Sequence, residues 1–168
     1  MTDIRNETQL VGVLEMVLAE VLEQTADEVL EIFKRDYLMK YVYESHMPNV
    51  IYHENSRKPT YEFLNAWDWT GIRKTIKTLS KELFYNAGKL SFNEETFLHG
   101  SIYSTPEDVR ASLMDILNKK GRSSSLWLSS TAIRPVAYWD KFIDDFIVGG
   151  QLDKILTKYF AINGIRKS

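Results

Sequence analysis

ETQLVGVLEMVLAEVLEQTADEVLEIFKRDYLMKYVY, residues 7–43, decides how this chain folds. The stretch has no proline and a single glycine, Gly12. Leu10, Leu14, Val17 and Val21, then Ile32 and Phe33, recur at helical spacing, as on one face of a 3.6-residue helix. The pattern predicts one long helix, with a frayed or kinked turn allowed near Gln24 and Thr25. At 1.5 Å per residue such a helix reaches roughly 50 Å. A compact domain of this length is only about 30 Å across. Part of the helix must therefore project, or pack on a neighbour.

A helical wheel sharpens that expectation. Leu14, Leu18, Val21, Leu22 and Val29 share one broad arc, and Glu20, Glu23, Asp27 and Glu31 share another. Val13, Met16 and Val17 intrude into the acidic arc. A helix that only covered its own sheet would not need apolar residues there; a second protein surface would explain them. Scattered exposed apolar residues, which are common on monomers, are the plainer alternative.

Outward from the helix, the reading becomes less regular. Residues 44–60 hold Pro48, Pro59 and several turn formers, an extended loop with room for a short strand over Val50–His53. Long loops in small domains are usually functional or ordered by a partner. Residues 61–104 are rich in aromatics and read mainly as strands, with Trp67 and Trp69 alternating and Asn86-Ala87-Gly88 as a turn. Ile72, Ile76, Leu79 and Leu83 also fit a helix, so period alone leaves 70–85 open. Residues 105–121 read as a helix: Thr105 caps it, Pro106 opens it and Asp108 completes the box. Val109, Leu113, Ile116 and Leu117 form its buried stripe, and Gly121 stops it. Residues 135–162 read as two C-terminal helices separated by Gly149-Gly150, with Trp139, Phe142, Ile143 and Phe146 on the inner side of the first. The whole, 1–168, is expected to be a single α+β domain.

Composition bounds the function. The chain has 168 residues, 44% hydrophobic and 26% charged, which excludes wholesale disorder. It has no cysteine, which excludes a disulfide scaffold, thiolate metal sites and thiol catalysis. The start is not a basic segment leading into an apolar run, so no secretory signal is expected. Leu10 to Leu22 is interrupted by Glu15 and Glu20, too charged to span a bilayer. The net charge of −2 hides a split: residues 1–33 carry eight acids and one base, a net −7, and the rest carries 20 bases and 15 acids, a net +5. Such asymmetry suits partners with patches of opposite sign, or simply solvates an exposed helix.

No catalytic signature stands out, and the chain is read as a non-enzyme without cofactors. His46, His53 and His99 lack metal-ligand spacing. Ser123, Ser124 and Ser125 follow no nucleophile elbow. Asp140, Asp144 and Asp145 sit on or near one helix, where solubility is a simpler account than acid–base or Mg²⁺ work. Lys119, Lys120 and Arg122 make a basic loop that either is solvated or faces a polyanion, with weak contact to its phosphate backbone.

Three segments resemble the neck or tail-completion proteins of long-tailed bacteriophages. They are the acidic helix ending in Lys40-Tyr41-Val42-Tyr43, the sheet entry Tyr61-Glu62-Phe63-Leu64-Asn65-Ala66-Trp67, and Ala132-Ile133-Arg134-Pro135-Val136-Ala137-Tyr138-Trp139 before a closing helix. The second lacks the family's basic T-G-x-L-R form, and 106–121 makes a longer helix than the family pattern. The resemblance implies a long helix packed on a small antiparallel sheet with two or three shorter helices after it. It implies a structural virion protein that forms a six- or twelve-fold homo-oligomeric ring at the head–tail junction, assembled in the host cytoplasm, with connector or tail proteins as neighbours and DNA passing through. On that reading Val13, Met16, Val17, Glu20, Glu23 and Asp27 form the subunit interface, and Lys119, Lys120 and Arg122 face the DNA lumen or an acidic partner. The alternative is a soluble cytoplasmic adaptor that docks its acidic amphipathic helix on another protein.

Overall fold

A computed structural model describes residues 6–44, 61–90, 114–115, 117–118 and 137–165. Asn6 opens the long helix: its side-chain oxygen accepts from the Gln9 N–H at 2.9 Å, satisfying one of the orphan donors of the first turn. Helix α1 (Glu7–Ile32) then runs without a break through Gln24 and Thr25. It continues into a wider π-type helix over Phe33–Glu44. Hydrogen bonds reaching five residues back admit an extra residue per turn. The inner face accordingly takes Phe33, then both Tyr37 and Leu38, then Tyr41 and Val42.

The region left open between strand and helix is a β-hairpin. Strand β1 (Trp67–Trp69) pairs antiparallel with β4 (Leu83–Tyr85), and β2 (Arg73–Lys74) pairs with β3 (Leu79–Ser80). Trp67 faces Tyr85 and Arg73 faces Ser80, so the register slips by one residue between the two pairs. The Thr70 N–H donates to the Glu82 carbonyl at 2.9 Å, placing the slip at Gly71 and Ile72 opposite Lys81. This is a β-bulge, which twists one long hairpin rather than ending it. Thr75 and Thr78 close the tip through their hydroxyls, 2.7 Å apart. Within 61–104 the reading as mainly strands needs one correction: Glu62–Asn65 is a helical turn, α2. The left-handed Tyr61 (φ 55°) starts it, and strand pairing begins only where the tryptophans alternate. Residues 91–104, the 45–60 loop and most of 105–121 lie outside the described residues; Met114 and Asp115 are α-helical and Leu117 and Asn118 wind as π-helix.

Helix α3 (Tyr138–Ile143) widens into a π-turn over Asp144–Val148, and α4 (Gln151–Ile162) follows. The two glycines between them act for different reasons. Gly150 adopts a left-handed φ of 70°, which a side chain would strain. Gly149 is needed for space: a Cβ there would lie 2.5 Å from the Asp145 carbonyl oxygen. Gly149→Ala must push the π-turn open and is expected to cost about 1–3 kcal/mol in a urea melt; a loss below about 0.5 kcal/mol would show that the turn yields freely. At the end of α4, Gly164 (φ 85°) forms a Schellman stop, with Gly164 N–H to Ala161 O and Ile165 N–H to Phe160 O.

Both short helices begin at a left-handed residue without a cap of its own, Tyr61 and Ala137. Distant side chains supply the missing acceptors. The Tyr43 hydroxyl accepts from Leu64 N–H at 3.1 Å, and the Asn118 side chain accepts from Trp139 N–H at 2.9 Å. These bonds tie α2 to the long helix and α3 to the 117–118 segment. The core between them is aromatic. Phe33 is fully buried, with Trp67, Trp139 and Phe142 rings within 5.7 Å of its own. Trp67 and Trp139 stack at 5.4 Å, and Phe63 meets Tyr138 at 6.0 Å.

Candidate interaction surface

The middle of α1 is held from two sides. On one side the hairpin supplies Lys74 to Glu15 at 2.6 Å, buried Lys81 to Glu23, and the Trp69 indole N–H to the Ala26 carbonyl at 2.7 Å. On the other, α4 supplies Lys158 to Glu28 at 2.6 Å and the Asn163 amide to Gln24 at 2.9 Å. Three of the eight acids counted toward the −7 are thus matched within the chain. Lys158 holds the Glu28 carboxyl below its ordinary value of 4.5, mainly through their hydrogen bond, and Glu28 in turn raises Lys158 above 10.5. A depressed carboxylate stabilises the fold above its unfolded value and loses that contribution as pH falls through the folded one; a raised amine loses its contribution as pH climbs past 10.5. Lys158→Met is therefore expected to lower Tm by about 1–2 °C at pH 7, and by less at a pH low enough to protonate Glu28 in the folded state. A shift equal at both pH values would assign the effect to packing instead.

Between the two clamps lies a groove of ≈ 350 Å³, floored by Leu18, Val21 and Leu22 and walled by Leu79, Leu156 and Phe160. Beyond it, toward the N-terminus, the described body stops but the helix does not. Val21 is buried, whereas no residue from Asn6 to Glu20 is. Leu10, Val11, Leu14 and Leu18 remain 39–48% exposed. At about 100° per residue these four fall within one arc, the same arc that carries Val21, Thr25 and Val29 into the core. The core stripe thus runs out of the fold and up a free helix.

The wheel placed Leu14 and Leu18 on one broad arc with Val21, Leu22 and Val29. They are on that arc yet remain 43% and 39% exposed, with Leu18 at the floor of the open groove. Of the expected interface residues, Met16 is 74% exposed on the far side of the helix, and Val13 and Val17 are half-buried. Glu20 and Asp27 are exposed, Glu20 accepting a hydrogen bond from Gln24. Glu23 stands apart from them, since it neutralises a lysine whose side chain is only 7% exposed. Lys119, Lys120 and Arg122 lie outside the described residues, as do the three histidines. Asp140 and Asp145 serve the fold, accepting from the Asn118 amide and from the Tyr37 hydroxyl. Burial, reinforced by Asp145, raises the pKa of that hydroxyl and keeps it a donor.

One feature of this surface escaped the sequence reading. Ile76 is fully exposed at the hairpin tip, beside Lys77. Grouping it with Ile72, Leu79 and Leu83 as a helical stripe hid it; the surrounding Thr-Ile-Lys-Thr, residues 75–78, was the turn signal. No protein-family model matches the chain, and neither does any curated protein or solved structure. Among the described residues no helix is long and apolar enough to cross a membrane.

Proposed function

We propose that the chain is a structural virion protein of a tailed bacteriophage, a ring-forming neck or tail-completion component at the head–tail junction through which DNA passes. The observation that carries this reading is the free N-terminal half of α1, whose apolar stripe continues the core stripe without a cover. A helix built this way is half of an interface. The three segments that resemble the family add support from a second direction, because their described residues meet. The Tyr43 and Tyr61 rings lie 4.9 Å apart, Phe63 contacts Tyr138, and Trp67 stacks on Trp139. Residues that join the long helix, the sheet entry and the closing helix are those a shared fold would keep together.

The test is light scattering on the eluting full chain across a concentration series, with negative-stain electron microscopy of the largest species. Closed rings of uniform size are expected. A chain that stays monomeric throughout overturns the proposal and leaves the adaptor reading, in which the same helix lies on a different protein.

A further inference from the structure

The N-terminal half of α1 presents an apolar face at the front and a single exposed methionine at the back. The front carries Leu10, Val11, Leu14 and Leu18 and leads down into the groove. The back carries Met16, roughly opposite on the wheel, with Glu20 and Asp27 on the same side. The two faces also differ in charge. Lys77 at the hairpin tip lines the front groove, is exposed, and has no acidic partner among the described residues. Glu20 and Asp27 at the back have no lysine or arginine partner among them either, whereas Glu15, Glu23 and Glu28 each have one.

We propose that the front of α1 in one copy packs against the back of α1 in the next, with Met16 of the neighbour between Leu14 and Leu18, and Lys77 facing the neighbour's Glu20. The inference rests on the ring reading and names the two surfaces that meet. The levels agree: Lys74 pairs with Glu15, which sets the hairpin tip beside the turn that holds Met16 and leads to Glu20. Side-by-side helices at one level therefore bring Lys77 to Glu20, neither of which has an ion-pair partner among the described residues. A contact between two different faces is heterologous; it builds a ring when the rotation from copy to copy closes and an open filament when it does not, whereas a two-fold contact stops at a dimer. The same chain thus supplies both complementary surfaces.

The absence of cysteine makes a clean test available. Leu14→Cys and Met16→Cys would be made singly and together in the full chain, then bridged with a short bis-maleimide and sized on denaturing gels. Both positions are on the free half of the helix, so folding is not at stake. The expected result is no bridging in either single variant and a ladder of covalent multimers in the double. Dimers from Leu14→Cys alone would overturn the proposal in favour of front-to-front pairing. Rings in the unbridged protein with no ladder in the double variant would overturn this contact while leaving the ring reading intact; a monomer that never bridges overturns both. Charge exchange gives a second readout. Lys77→Glu and Glu20→Lys are each expected to weaken self-association about two- to fivefold, and their combination to restore it. A combination that is additively weaker argues against the pairing.

Discussion

Phe33→Ala is expected to destabilise the fold by about 3–5 kcal/mol, the range for deleting a buried phenylalanine ring. Phe33 has no exposed surface and sits where the long helix changes from α to π winding. Its ring touches side chains from three separate parts of the chain: Tyr37 on its own helix, Trp67 at the start of the hairpin, and Tyr138, Trp139 and Phe142 on α3. Removing it leaves a cavity among large, rigid rings that collapse poorly, which places the loss toward the upper end. In a chain of this size the corresponding fall in Tm is about 10 °C. A urea melt with an unchanged slope would measure it. Phe84, half-exposed on the hairpin, is the control: its replacement by alanine should cost below about 1 kcal/mol. Equal losses at the two positions would mean that the aromatic cluster is not the organising core.

The second large effect concerns assembly and should leave the fold untouched. Leu10→Gln with Leu14→Gln removes apolar surface from the free half of α1 and keeps a residue of similar helix propensity. Each leucine exposes about two-fifths of its surface, 42% and 43%. At about 25 cal/mol per Å², covering that surface in an oligomer is worth about 1–2 kcal/mol per residue. The pair should therefore raise the dissociation constant of self-association on the order of 100-fold. Tm of the dilute protein should move by no more than about 1–2 °C, because neither residue touches the buried core. Sedimentation velocity across a dilution series reads the first quantity and a thermal melt the second. A large drop in Tm without a change in association would show that this stripe packs on the chain's own body.

Much of the architecture was legible in residue order. The long helix was readable because a period of apolar residues continues through 37 positions without proline. The Gly149-Gly150 stop was readable because consecutive glycines end helices whatever surrounds them. The hairpin was only half legible: Ile72, Ile76, Leu79 and Leu83 fit both periods, and the choice between them depends on Lys81 and Trp69 finding Glu23 and Ala26 on another element. The caps on α2 and α3 were not legible at all. Tyr43 and Asn118 act across 21 residues of sequence, and no local pattern marks a side chain that will cap someone else's helix.

The charge asymmetry shows the same division most clearly. By itself the amino-acid order determined an acidic amphipathic helix longer than its domain, because periodicity and charge are properties of neighbours along the chain. Only the tertiary structure decided which part of that helix is free. Glu15, Glu23 and Glu28 are drawn to lysines of the body, while Leu10, Leu14 and Leu18 lie on the core arc and stay about two-fifths exposed. Burial depends on where the other elements end, and that is set by how the hairpin and α4 pack on α1, at distances in sequence that no helical wheel spans.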